Sequence, residues 1–330
     1  MVVMSDELTS KKEPEATMKL LCLCLFGALA MVARAQQPAP LKLVGTLPLP
    51  EVRGRFDHFA LDVQRQRLFV AALGNNTVEV LDLKRAKRLR TLTGLSKPQG
   101  LVFLPKPSLL FVASGEDGRL RIFDCSDFKM IKTLGGLPDV DNLRYDTKVN
   151  RIYAGFGEGA LGVVDAFAGV HTSSINLQGH PEAFQLEAEG ERIFVNVPAA
   201  KHVAVVDRRS KEVVETWPLP NFRDNFPMAL DEANRRLFTG CRSPARLVVL
   251  DTQGGKVVTD LAISGDTDDL FYDARRKRIY AACGEGFVDV IEQISARVVL
   301  GVLSPGPVSV STQIALLNTS IPSLKSNVLR

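Results

Sequence analysis

One short phrase returns six times at nearly constant spacing: Leu68-Phe69-Val70, Leu110-Phe111-Val112, Ile152-Tyr153-Ala154, Ile193-Phe194-Val195, Leu237-Phe238-Thr239 and Ile279-Tyr280-Ala281. Its aromatics are 42, 42, 41, 44 and 42 residues apart. A period of this length marks an array of like supersecondary units, each unable to bury its apolar surface alone and therefore stacked on its neighbours.

A second fixed element follows each aromatic: Val80-Leu81-Asp82, Ile122-Phe123-Asp124, Val163-Val164-Asp165, Val205-Val206-Asp207, Val249-Leu250-Asp251 and Val290-Ile291-Glu292. Seven residues before the aromatic, an acidic residue closes an apolar stretch in five units, at Asp62, Asp146, Glu187, Asp231 and Asp273. Alternation such as Thr77-Val78-Glu79-Val80-Leu81-Asp82 has the period of two of a strand, and Gly, Asn, Asp and Pro punctuate the gaps. Helical repeats of similar length are excluded, because each unit offers only short runs rich in Val, Ile, Phe and Tyr. Four short strands per unit, arrayed about an axis, predict an all-β chain folded as a β-propeller.

The Arg-Leu-Phe-Val-Ala block at 67–71, the Thr-Val-Glu-Val-Leu-Asp block at 77–82 and their copies resemble the YVTN-type repeats of bacterial propellers, in particular the periplasmic YncE-like proteins. The resemblance covers residues 41–297. WD40 proteins, which share the wider repeat superfamily, match less well: no Gly-His opening or Trp-Asp close is present, and the single tryptophan is Trp217. The resemblance implies a fold and leaves function open, since propellers host binding, scaffolding and catalysis on one frame.

The two ends depart from the repeat. Met18-Lys19, the apolar run from Leu20 to Val32 and Ala33-Arg34-Ala35-Gln36 have the charged start, apolar core and A-x-A site of a secretory signal. The acidic residues Asp6, Glu7, Glu13 and Glu15 oppose the positive charge such a signal needs, so translation is expected to begin at Met18, with an uncleaved anchor as the alternative. Residues 1–35 are thus read as a leader, 36–297 as the propeller, exported to the periplasm or secreted, and 298–330 as an atypical tail. No aromatic occurs after residue 297, and the seventh anchor expected near Ile321-Pro322 is missing. Leu41 to Leu47 matches the last strand of a repeat, compare Leu89 to Leu95, and YVTN-like propellers close their ring with such a strand. The reading is six clear four-stranded blades plus an incomplete or degraded seventh closed by the N-terminal strand.

Without the leader, three cysteines remain, Cys125, Cys241 and Cys283, expected as buried apolar thiols. The formal net charge of +4 does not by itself call for a polyanionic partner.

Aligning the units on their aromatics puts Asp57, Gln99, Asp141, Glu182, Phe226 and Asp268 at one position where the innermost strand meets the channel mouth. The next position holds His58, Gly100, Asn142, Ala183, Pro227 and Asp269. Carboxylates and amides suit hard cations and an imidazole admits a transition metal, so a divalent cation in the channel is one expectation, and solvated loop-capping polar groups are the other. His180, ahead of Pro181-Glu182, is expected near the same mouth. The opposite face collects Arg65, Lys84, Arg85, Arg151, Arg208, Arg235, Arg275, Arg276, Lys277 and Arg278 on hairpin turns. It is expected to be basic and the mouth face acidic.

No Gly-rich phosphate loop, Gly-x-Ser-x-Gly elbow, His-Glu-x-x-His or Cys-x-x-Cys-His is present in the mature chain. Three functions stay open. The leading one is a non-catalytic, monomeric exported propeller that binds a small molecule or a protein at its acidic mouth. The others are a channel-metal hydrolase, loosely similar to propeller lactonases, and anionic lipid or nucleic-acid binding by the basic face.

Overall fold

The computed structural model describes residue 41, residues 45–295 and residues 298–302. The segment read as a leader with a secretory signal and the chain beyond 302 lie outside the described residues.

Six four-stranded antiparallel sheets follow one another in chain order, each a simple meander, and form the blades of a propeller. Blade one is β1 (Phe59–Asp62), β2 (Arg67–Ala72), β3 (Thr77–Asp82) and β4 (Lys87–Leu92). Its alternation maps directly onto two buried faces: Phe69 and Ala71 turn to one side, Leu68 and Val70 to the other, and all four are buried. The fourth strands are outermost, those of the first five blades are poorly buried, and the register slips where the third strand meets them, once in each of the first five blades, as between Val80 and Leu81, and twice in blade six.

Each recurring aromatic points into the junction with the following blade. Phe69 packs with Leu101, Leu110 and Val112 of blade two, and Phe111 with Leu143, Ile152 and Ala154 of blade three. Tyr153 packs with Phe184, Ile193 and Val195, Phe194 with Met228 and Leu237, and Phe238 with Leu270, Ile279 and Ala281. Five inter-blade cores thus hold six blades, and burial of each aromatic contributes about 1.5–3 kcal/mol. The sixth junction differs. Tyr280 packs with Val288 and Val290 of its own blade and with Leu41, whereas Leu68, Val70 and Leu81 of blade one pack with Leu47 and Leu49. The N-terminal segment therefore touches both faces of this junction.

The expected strand from Leu41 to Leu47 is not formed at residue 41 or at 45–47, which carry no strand pairing, while 42–44 lie outside the described residues. Blade six is completed instead by Val298–Val302, past the residue at which the sequence reading ended the propeller. No seventh sheet is present among the described residues. Cys125, Cys241 and Cys283 are free and buried, and burial pushes each thiol up to about 12.

The acidic residue that closes the first strand in five of the six blades is a buried tie. Asp62 receives two hydrogen bonds from Arg67, whose Nη1 donates to the Cys125 carbonyl of blade two at 2.8 Å. Asp146 of blade three pairs with Arg208 of blade four, and Asp231 of blade five accepts from Tyr272 at 3.0 Å and Gln293 at 3.1 Å of blade six. Glu232 accepts the backbone N–H groups of Ala188, Glu189 and Gly190 from the neighbouring blade. Replacing Arg208 with Ala leaves Asp146 buried without its cation and should lower unfolding free energy by about 3–5 kcal/mol in denaturant melts. The double replacement Arg208→Met/Asp146→Leu should recover much of that loss.

Candidate functional site at the channel mouth

Local backbone pairing fixes where the mouth residues sit. Ahead of β1, the Asp57 N–H donates to the Ala71 carbonyl at 2.8 Å and the Ala71 N–H to the His58 carbonyl at 3.0 Å. Asp141 and Asn142 repeat this pattern with Gly155, both at 2.9 Å, and Glu182 donates to Asn196 at 3.0 Å. In blades two and five the strand register slips over the same two positions, between Pro98 and Leu101 and between Asn225 and Met228, and in blade six over the first of them, between Thr267 and Asp269. Such bulges re-aim side chains at a sheet rim.

Three of the expected residues come together. One donor atom each of Asp57, His58 and Asp141 lies within 4.8 Å of the other two. His58 Nδ1 is 2.7 Å from Asp57 Oδ1 and 3.9 Å from Asp141 Oδ1, yet neither His58 Nδ1 nor Asp141 Oδ1 makes a well-aligned hydrogen bond. Asp269 of blade six and Glu182 of blade four stand close enough to act on this group through their charges.

His58 belongs to blade one and Asp141 to blade three, so they meet across blade two. Gly100, the residue of blade two at the equivalent position, makes this possible. A Cβ there would fall 1.9 Å from the Asp141 carbonyl oxygen and 3.1 Å from Leu143 Cγ. The blade-three backbone presses directly on that of blade two, and only glycine leaves the room.

The electrostatics follow from burial opposed by charge. Burial alone depresses the His58 imidazole, but the bond to Asp57 and the charges of Asp141, Asp57 and Asp269 outweigh it and push it up to about 9. Burial raises the Asp141 carboxyl against the pull of His58, and likewise raises Asp269. Glu182 rises to about 7, through burial first and the Asp141 charge second. The group thus holds its charge at neutral pH as an imidazolium among carboxylates.

The remaining expected residues go elsewhere. Asp268 pairs with Arg242 of blade five, and burial raises its carboxyl against that cation. Gln99 lies over Gly115 of its own blade. Asn142 is buried, 3.5 Å from Arg144 Nη1. His180 Nδ1 contacts the Gly157 carbonyl at 2.6 Å and lies 3.8 Å from Asp139. Sequence reasoning missed Arg144, a cation among the acids that lies over the Phe184 ring, and Arg242, stacked 4.4 Å over Phe226. An arginine two residues after Asn142 and an aromatic where other blades carry an acid were the signals that pointed to them.

The basic face is largely neutralised. Arg65 and Arg276 pair with Asp62 and Asp273, Arg85 with Asp82, Arg151 with Asp165 and Arg278 with Glu292. Arg208 is buried against Asp146 and so offers no charge to a surface. Lys84, Arg235, Arg275 and Lys277 are exposed without an ion pair among the described residues.

No protein-family model matches the chain, and no curated protein matches it. Among solved structures it is similar to hydrazine synthase of Kuenenia stuttgartiensis, at 15% identity over 76% of this chain and 80% of that one, with a TM-score of 0.67. It is also similar to a chain of the mitotic checkpoint complex, at 13% identity over 95% and 90%, with a TM-score of 0.70. At these identities the likeness shows the β-propeller fold alone.

Three measurements follow. An NMR titration should give His58 a midpoint of about 9, falling toward the ordinary 6.5 in the Asp57→Asn variant. Because its folded value lies above the unfolded one, its contribution to stability is full below pH 6.5 and is lost as pH rises through about 9. Glu182 also binds its proton more tightly when folded, so stability falls as pH rises from 4.5 to about 7, and Glu182→Gln should flatten that fall. Gly100→Ala should cost roughly 1–3 kcal/mol by overpacking, and should also move the His58 midpoint, because Asp141 is displaced.

Proposed function

We propose that the chain is an exported β-propeller of the YVTN-repeat, YncE-like kind that binds a ligand at its channel mouth without transforming it. A divalent cation held by Asp57, His58 and Asp141 forms part of what it binds. The observation that carries this reading is the convergence of three donor atoms within 4.8 Å from two non-adjacent blades, with Asp141 Oδ1 lacking an aligned hydrogen bond. A buried polar atom without a partner costs about 1–3 kcal/mol, a cost that a bound ion offsets.

Donor atoms around one ion at 2.0–2.2 Å stand roughly 3–4.2 Å apart, a span that holds the 3.9 Å between His58 and Asp141; the 2.7 Å from His58 Nδ1 to Asp57 Oδ1 is a hydrogen-bond distance, so the imidazolium gives up its proton and draws away from Asp57 when the ion enters. One imidazole with two carboxylates suits Zn²⁺ or Mn²⁺ better than Ca²⁺, which takes six to eight oxygens. Three protein donors leave coordination positions for a ligand oxygen. The export half of the proposal rests on the signal-like segment ending at Ala35, and amino-terminal sequencing of the mature protein should begin at Gln36.

Calorimetric titration with Zn²⁺, Mn²⁺ and Ca²⁺ should give one site per chain, with affinity at least about tenfold weaker in His58→Ala and in Asp141→Asn. Equal binding by wild type and the double variant would remove the cation. A second reading, a metal-dependent hydrolase of lactonase type, draws on Glu182, a carboxyl that exchanges its proton near neutrality beside the same group. Lactone turnover by the metal-loaded protein, lost in His58→Ala, would replace binding by catalysis.

A further inference from the structure

Away from the acidic group, the mouth face carries a groove of about 610 Å³ between blades four and five. Its charged lining is entirely positive: Lys201, Arg223 and Arg242, joined by the amide of Asn221 and the hydroxyl of Ser243.

The blade itself is altered to build this groove. The first two strands of blade five, Arg223–Asp231 and Arg236–Ser243, have nine and eight residues, against four and six in blade one. The additional rung pairs Arg223 with Ser243 and lifts both beyond the bulge at the channel mouth. Lys201 reaches the same place from the turn of blade four, after the short 3-10 turn Pro198–Ala200.

Most cations with reach to this face have a carboxylate close by: Lys97 is 3.7 Å from Glu116, and Arg121 pairs with Asp117. Lys201 and Arg223 have no ion pair among the described residues, and both are exposed. Arg242 is held from behind by Asp266 at 3.2 Å, by Asp268, by the Thr267 carbonyl at 3.2 Å and by the Phe226 ring. Neither carboxylate lines the groove. Arg242 is thus a preorganised guanidinium at the edge of a space into which two further, unneutralised cations project. Bringing like charges together is unfavourable until an anion joins them, and guanidinium and ammonium groups are strong donors to oxyanions.

We propose that this groove binds a small molecule through a multiply charged oxyanion, of the phosphate-ester or polycarboxylate class. The volume lies within the span of small-molecule sites, and the polar lining excludes an apolar ligand. This site is independent of the cation proposed between Asp57, His58 and Asp141.

The test uses the full chain, titrated calorimetrically with inorganic phosphate and separately with succinate, at constant ionic strength set with sodium chloride. Saturable one-to-one binding is expected, weakened at least about tenfold in Lys201→Ser/Arg223→Ser and unchanged in Asp57→Asn. Both substituted residues are exposed, and unchanged thermal melting would show that the double variant is folded. Binding of phosphate alone assigns a phosphate ester, and binding of succinate alone a carboxylic acid. The proposal is overturned if neither anion binds beyond the chloride control, if the double variant binds equally well, or if Asp57→Asn abolishes binding. The first two outcomes leave the cation site untouched, and loss of cation binding in turn leaves this one standing.

Discussion

The fold depends on burying both faces of every blade between neighbours. A lone four-stranded sheet of this size has two apolar faces and no core, so Phe69 or Phe111 gains its stabilisation only when the next blade arrives. This constraint explains why the aromatic is the most regular feature of the repeat. It also explains why the acidic residue seven positions earlier recurs: it ties the first strand of a blade to an arginine, tyrosine or glutamine, in several cases one supplied by the next blade. Apolar burial sets the spacing of the blades, and these polar ties set their register.

The same packing generates the channel mouth. Because the first strands crowd toward the axis, residues from blades one, three, four and six are drawn within range of one another, and the low exposure they share turns ordinary acids into coupled ones. His58 is held protonated, and Glu182 is held near neutrality, by the same crowding. Rim turns then divide the face: on blade two Lys97 and Arg121 stand beside Glu116 and Asp117, whereas Lys201 and Arg223 of blades four and five have no ion pair among the described residues.

What the sequence made legible was whatever repeats. The six aromatics, the third-strand blocks and the buried acids occupy equivalent places because each faces the same environment, and the all-β propeller follows from them. The fourth strands were less legible. Val298–Val302 completes blade six without an aromatic anchor, and outer strands such as Met130–Leu134 are mostly exposed, so nothing forces a pattern on them. At the mouth, alignment put Asp57, His58 and Asp141 at like positions but carried no sign of how they pair. That His58 would reach past blade two to Asp141 depends on Gly100, whose meaning lies in a contact between blades. Gln99 and Asp268 share the aligned position yet turn to Gly115 and Arg242, and Arg242 stands where the other blades carry Leu73, Gly115, Gly157, Pro198 and Gly284.

The junction between blades six and one, bordered by Tyr280 on one side and Leu68 and Val70 on the other, gives the ring a seam. His58 and Asp269 stand on its two sides at the axis and attract each other there. The imidazolium is therefore a clasp as well as a site residue. A ligand that neutralises it, or an alkaline medium that removes its proton, slackens the seam from the inside. Occupancy of the mouth and the circumference of the propeller are in this way two readings of one charge.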